Sequence, residues 1–261
     1  MDVWILESAE AVAAKAADLC AEWIRRKPDA RLGLATGATP KALYAELIRR
    51  YRLGQLSFSR VETFNLDEYL GIGPQHPRSF HRAMRDSLFA HVDIEPTRTH
   101  LPAGDSADPA AEAEAYEALI RARGGIDLQI LGIGRNGHIG FNEPGSSLGS
   151  RTRVKTLSRA TLRDNRLGEP GFEAPTLAIT MGIATILDAR ALLVLATGAT
   201  KAAAVAAALE GPLAASCPAS AIQLHPRATV LLDPEAAADL RLTDYYELVD
   251  QARRRLATGS R

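Results

Sequence analysis

A regular alternation constrains this chain more than any other feature. Seven short apolar runs, at 3–6, 32–35, 61–65, 128–133, 192–196, 221–224 and 229–232, are separated by segments of helical period, the clearest at 9–26, 40–51, 80–91, 109–123, 199–209 and 244–256. Strands joined through helices imply a mainly parallel sheet, because a parallel pair needs a long return path and a crossover helix supplies it. The expected fold is α/β: an open, mainly parallel, twisted sheet with helices on both faces. With 261 residues, 46% of them hydrophobic, the chain can close a core of that size, so one domain over 1–261 is expected. Two stretches break the alternation, 96–108 and the long polar segment 142–175. A loop of the second length inside a compact domain is usually functional, and residues 157–175 are expected to form a mobile flap.

Charge narrows the partners. There are 31 basic and 31 acidic residues, and the basic ones are scattered, so the footprint of a nucleic-acid or membrane-surface binder is missing. No apolar run reaches membrane-spanning length and the N-terminal stretch is acidic, which predicts a cytoplasmic protein with a small-molecule partner. Cys20 and Cys217 stand far apart without a C-x-x-C pair, so they read as core thiols, and no metal site is expected.

In an open parallel sheet, ligands sit outside the carboxyl ends of the strands, and the loops there carry the chemistry. After the run at 32–35 come Thr36, Gly37, Ala38 and Thr39, then Pro40 where a helix starts. Backbone N–H groups and a helix dipole converge there into an anion cradle. The same Thr-Gly-Ala-Thr recurs at 197–200, followed by Lys201, one of only five lysines, which adds a point charge suited to a phosphate monoester. The run at 61–65 ends just before Asp67 and Glu68. These adjacent acids point in different directions, so at most one is expected to act as a base, and a turn-capping role for both stays open.

The run at 128–133 enters Gly132, Gly134 and Gly137, a G-x-G-x-x-G pattern. A dinucleotide loop would start a helix at the third Gly and present an acid about twenty residues on. Here Gly140, Pro144 and Gly145 oppose a helix and the later segment is basic, so the glycines are read as bringing His138 and Glu143 to a ligand. An imidazole can move protons near neutrality and a carboxylate can orient it. From the residues alone the chain reads as a sugar-phosphate isomerase-type enzyme.

The stretches LGLATGATP, FNLDEY, GIGRNGHIGFNEPGSSLGSRTRVKTL, AITMGIATILDA and QLHP together resemble the glucosamine-6-phosphate deaminase (isomerising) family, over nearly the whole chain. The resemblance implies a modified Rossmann-like fold and conversion of glucosamine 6-phosphate to fructose 6-phosphate and ammonia without an organic cofactor. It implies Asp67 as the base that moves a proton from C2 to C1, and His138, supported by Glu143, as the ring-opening group. Thr36, Gly37, Ala38, Thr39, Lys201 and Arg166 would hold the phosphate. Asn136 is a departure, since many members carry Asp there; it is expected to orient its neighbours by hydrogen bonding, leaving His138 to depend mainly on Glu143. Ser146, Ser147, Arg153, Lys155, Thr156 and Tyr245 match an allosteric site for N-acetylglucosamine 6-phosphate found in hexameric members, while other members are monomers. Three alternatives stay open: a galactosamine-6-phosphate deaminase, a 6-phosphogluconolactonase-like hydrolase, whose family shares the fold and a Gly-rich loop with a His but not the FNEP element, and a non-catalytic sugar-phosphate sensor.

Overall fold

The computed structural model describes residues 1–164 and 175–258. In chain order its elements are β1 (Asp2–Ile5), α1 (Ala9–Arg26), β2 (Arg31–Leu34), α2 (Ala38–Arg52), β3 (Glu62–Asn65), β4 (Asp67–Tyr69), α3 (Phe80–Ser87), β5 (Thr99–His100) and α4 (Pro109–Ala122). They continue with β6 (Leu128–Gly132), β7 (Arg153–Thr156), α5 (Arg159–Asp164), β8 (Leu177–Thr180), α6 (Ile183–Leu187), β9 (Leu192–Ala196), α7 (Ala202–Leu209), β10 (Ala228–Leu232) and α8 (Thr243–Thr258).

Seven strands form one parallel sheet in the order β1-β10-β9-β6-β2-β3-β5. Its strands are buried on both faces, which is why β9 reads as the unbroken apolar run LLVLA. Along β9, Leu192 and Val194 turn to one core, with Phe64, Leu131, Tyr116, Ile120, Ile186 and Val205. Leu193 and Leu195 turn to the other, with Leu32, Leu34, Val12, Leu43, Tyr44 and Met84. Helices α1, α2 and α3 thus cover one face and α4, α6 and α7 the opposite one. The strand order reverses between β2 and β6: β2 leads outward through β3 to β5, and α4 brings the chain back to β6 on the other side of β2. Such a switch point splays the loops apart and opens a crevice at the carboxyl ends.

Beside that crevice lies a second sheet, antiparallel, in the order β4-β8-β7. Asp67 pairs with Thr180 and Tyr69 with Ala178. Two buried tyrosines fix the strands that lead into the crevice. Tyr44 of α2 donates to the Ala35 carbonyl at 2.6 Å, and Tyr116 of α4 donates to the Asn65 carbonyl at 2.8 Å.

The expected parallel architecture is present, with differences in detail. The run at 221–224 is not a strand; it lies in a 3-10 helix, Pro218–Leu224, whose Ala219, Ala221 and Ile222 are buried. Pro218 cannot donate to a ladder, and a short apolar run does not by itself distinguish strand from helix. The helix expected at 80–91 ends at Ser87, because Leu88 departs from helical backbone (φ −146°, ψ −59°), and Phe89–His91 continues as 3-10. The segment expected to be irregular, 142–175, contains β7 and α5. In the flap region Leu157 and Thr161 are buried, while residues 165–174 lie outside the described residues.

Candidate active site

The loops after β2, β3, β6 and β9 enclose a cavity of about 400 Å³. Thr36, Gly37, Ala38, Thr39, Asp67, His138 and Lys201 all line it, with Phe80, Arg135, Gly140 and Phe141. The two Thr-Gly-Ala-Thr loops, identical in sequence, differ in availability. At the first, α2 begins at Ala38 with Gly37 as N-cap and no side-chain cap bond, so its first-turn amides face the cavity without an intrahelical acceptor. At the second, the protein fills the cradle itself: the Gly198 amide donates to both Asp233 oxygens at 3.0 Å, and the Ala199 amide donates to Glu235 at 3.1 Å. Expecting two anion cradles is therefore corrected to one. The second loop contributes Lys201 to the cavity instead, and its amides are spent on its own carboxylates.

Asp67 also lines the cavity and is only 6% exposed. Burial, and then the charge of Glu68, push its carboxyl up to about 8. Its neighbour Glu68 points away and is wholly enclosed, accepting from the Tyr69, Phe80 and His81 amides. Two adjacent acids on a strand face opposite sides, so only Asp67 reaches the cavity. Gly140 gives it room: a Cβ there would stand 3.0 Å from Thr180 Oγ1 and 3.4 Å from Asp67 Oδ2, and the backbone is left-handed (φ 54°).

The loop after β6 closes on itself, the Gly134 amide donating to the His138 carbonyl at 2.8 Å. A Cβ at Gly134 would overlap the His138 ring, so this glycine is the ring's seat. The central glycine of the G-x-G-x-x-G pattern thus serves an imidazole, and no helix follows. His138 Nδ1 lies 2.6 Å from Asn136 Oδ1, and Asn136 Nδ2 donates to Glu143 Oε2 at 2.9 Å. The direct His138–Glu143 separation is 4.0 Å. His138 therefore leans on Asn136, with Glu143 one bond behind, which corrects the expectation of a mainly direct Glu143 support. An amide oxygen only accepts, and the Asn136 orientation is set by its donation to a carboxylate. The Nδ1 position of His138 accordingly carries the proton and the lone pair of the neutral ring sits on Nε2.

Glu143 is 5% exposed. Burial works against its charge, but the Thr161 hydroxyl, the Asn136 amide, the Ser158 amide and the adjacent imidazole outweigh it and hold the carboxyl below its usual range. Asn142 anchors the loop by donating to the Ile139 and Met181 carbonyls at 2.9 and 2.8 Å.

Arg135 and Phe80 are site residues that the motifs did not single out. Arg135 is one arginine among many in the sequence, and it also borders an adjoining hollow with Arg163 and Thr200. Phe80 enters only through the packing of α3 on β4. Arg166 lies outside the described residues. Of the regulatory candidates, Ser146 is buried, Ser147 accepts from the Gly149 amide, and Arg153 donates to Asn142 Oδ1 at 2.9 Å, with Lys155 and Thr156 following on β7. Tyr245 is 60% exposed on α8, a helix that packs on β1 at the far edge of the large sheet.

Fold and cavity define a doubly wound α/β protein whose cavity gathers a helix N-terminus with uncapped amides, a lysine, a buried carboxyl and an imidazole. The family model described as Glucosamine-6-phosphate isomerases/6-phosphogluconolactonase matches residues 6–231, and the chain belongs to that family. It is 58% identical over 250 residues to a glucosamine-6-phosphate deaminase of Hahella chejuensis, covering 95% of each chain. With a glucosamine-6-phosphate deaminase of Cellvibrio japonicus it shares 54% identity over 257 residues, 98% of each. Among solved structures it superimposes on a monomeric glucosamine-6-phosphate deaminase with a TM-score of 0.89 and 46% identity, covering 92% of this chain and 100% of that one. A 6-phosphogluconolactonase from Trypanosoma cruzi gives a TM-score of 0.74 at 22% identity, over 92% of this chain and 97% of the other, and so shares the fold.

Proposed function

We propose that this chain converts glucosamine 6-phosphate and water to fructose 6-phosphate and ammonia. The carrying observation is the convergence, in one cavity, of the raised Asp67 carboxyl, the oriented His138 imidazole, the open cradle at 36–39 and Lys201. In this reading His138, through Nε2, takes the proton of the anomeric hydroxyl and returns one to the ring oxygen, opening the pyranose. Asp67 then removes the proton from C2 while a proton of the C2 ammonium group passes to O1, leaving a neutral enolamine, and delivers its proton to C1 to give a C2 iminium. Water adds at C2, the C–N bond breaks and ammonia leaves, so one water is consumed for each ammonia released. No step calls for an electron carrier or an organic cofactor. The deciding experiment measures ammonia release from glucosamine 6-phosphate and galactosamine 6-phosphate, and acid release from 6-phosphogluconolactone. Release from the glucose epimer alone is expected. Lactone hydrolysis without ammonia, or turnover of none of the three, would overturn the reading.

The phosphate assignment has its own test. Lys201→Met keeps the length of the side chain and removes its charge. A charge-assisted contact to phosphate is worth about 1.5–3 kcal/mol, so KM should rise about 10–100-fold with a much smaller change in kcat. A fall in kcat at unchanged KM would take Lys201 out of the phosphate site.

A further inference from the structure

His81 lies behind the cavity wall, yet it is bonded to the group that shapes that wall. Its Nδ1 stands 2.9 Å from Glu68 Oε2, and its backbone amide donates to the same oxygen at 3.0 Å. The other oxygen of Glu68 accepts from the Tyr69 and Phe80 amides at 2.8 and 3.0 Å. The Glu68 side chain is 0% exposed, so four N–H groups, in place of water, balance its charge. A carboxylate can only accept, so His81 Nδ1 is the donor. Glu68 in this way ties the first turn of α3 to β4. Its two neighbours in this arrangement, Asp67 and Phe80, both line the cavity. Phe80 in turn packs on Tyr69 and Phe141, with ring centroids 4.6 and 5.9 Å away.

We propose that His81 is a positioning residue for Asp67: acting through Glu68, it tempers the negative charge beside that carboxyl and fixes the Phe80 wall of the cavity. The inference rests on the proton-transfer reading of Asp67 given above. Few other charges bear on the pair. Glu68 is the neighbour on β4 itself, Tyr116 approaches from α4, and His138, Arg135 and Lys201 share the cavity. Strand β8, paired with β4, has the sequence LAIT and brings no charge. On α3, Arg82 and Arg85 bond to Asp86. Among the described residues His81 supplies the one side-chain donor to Glu68. A buried carboxylate deprived of one of its four donors projects a larger negative potential onto its neighbour, because little water is present to screen it. Asp67 would then bind its proton more tightly.

The test is a ¹³C carboxyl titration of Asp67 in the ligand-free protein, its resonance assigned by the loss of that signal in Asp67→Asn, with ammonia release followed in parallel. His81→Leu should move the Asp67 midpoint upward by about 0.5–1 pH unit, with the acid limb of kcat/KM following it and KM within about twofold of wild type. His81→Asn, whose amide nitrogen can take the place of Nδ1, should restore the wild-type midpoint, and Glu68→Gln should move it downward. A merely structural role would lower the melting temperature and leave the midpoint in place. An unmoved midpoint in folded His81→Leu, or in His81→Ala should the leucine variant not fold, overturns the proposal even if the wild type releases ammonia. A moved midpoint in a protein that releases none keeps the coupling and removes the proposed reaction.

Discussion

Asp67→Asn is expected to lower ammonia release by about 10²–10⁴-fold and, in the same protein, to raise its stability at neutral and alkaline pH. Both effects come from one carboxyl. Burial and the charge of Glu68 push it up to about 8, so the folded protein holds a proton there that the unfolded chain, with an ordinary aspartate, gives up near pH 4. Between those two values the native state binds more protons than the unfolded state, and stability falls as pH rises; above about 8 the cost is complete and constant. An amide at this position carries no such penalty. The melting-temperature gain of Asp67→Asn over wild type should therefore be absent near pH 4, grow up to about pH 8 and then level off. For a chain of this size each kcal/mol corresponds to about 2–4 °C. The catalytic counterpart is a wild-type kcat/KM that climbs with pH to about 8, since in the proposed mechanism Asp67 must be ionised to take the C2 proton. Scanning calorimetry across pH together with the ammonia assay checks both. A melting-temperature difference that is flat from pH 4 to 9 would show that the carboxyl is not perturbed, and a variant that keeps its turnover would show that it is not the base.

The sequence displays six of the seven strands of the large sheet because they are short, mostly apolar runs spaced by helical segments. The seventh, β5, is only Thr99–His100 and lies in the segment 96–108 expected to be irregular, too short and polar to read as a strand without its partner β3. The small sheet is a different case: β4 is only Asp-Glu-Tyr, and its strand character comes from pairing with β8, more than a hundred residues away in the chain. The same limit governs the site. Asp67, His138 and Lys201 are visible as polar residues just past strand ends, where the topology makes them matter. The two Thr-Gly-Ala-Thr loops cannot be told apart locally, because what closes the second is Asp233 and Glu235, carried in from the end of β10. Nor does the spacing of Asn136, His138 and Glu143 announce their order of contact. That order is produced by the turn that returns the Gly134 amide to the His138 carbonyl, a tertiary detail with no period to read.

The largest loss outside Asp67 should come from cutting the relay behind the imidazole. Asn136→Leu removes the acceptor of Nδ1 and a donor to Glu143 together, so the ring is no longer confined to the tautomer that leaves its lone pair on Nε2. A fall in kcat of about 10²-fold is expected, with KM changed little because no phosphate contact is touched. Asn136→Asp poses the complementary question. It would set a second carboxyl oxygen where Asn136 Nδ2 now lies 2.9 Å from Glu143 Oε2, and like charges that close cannot both stay ionised without cost. The two acids would share a proton, and the acceptor for His138 Nδ1 would survive. At higher pH, as the shared proton leaves, the added negative charge would favour the imidazolium, moving the imidazole limb of the pH–rate profile upward. This variant should therefore keep most of the wild-type kcat and differ in where that limb falls. Paired pH–rate profiles separate the outcomes: a leucine variant as active as wild type would show that the amide bridge does not orient the base, and an aspartate variant with a profile superimposable on wild type would show that charge at residue 136 is not felt by His138. The bond from Glu143 to Thr161, in the first turn of α5, extends the same relay toward the segment beyond the cavity. The His138 imidazole is thus held by a chain of hydrogen bonds in which Glu143 is the charged member and Asn136 the one that sets direction.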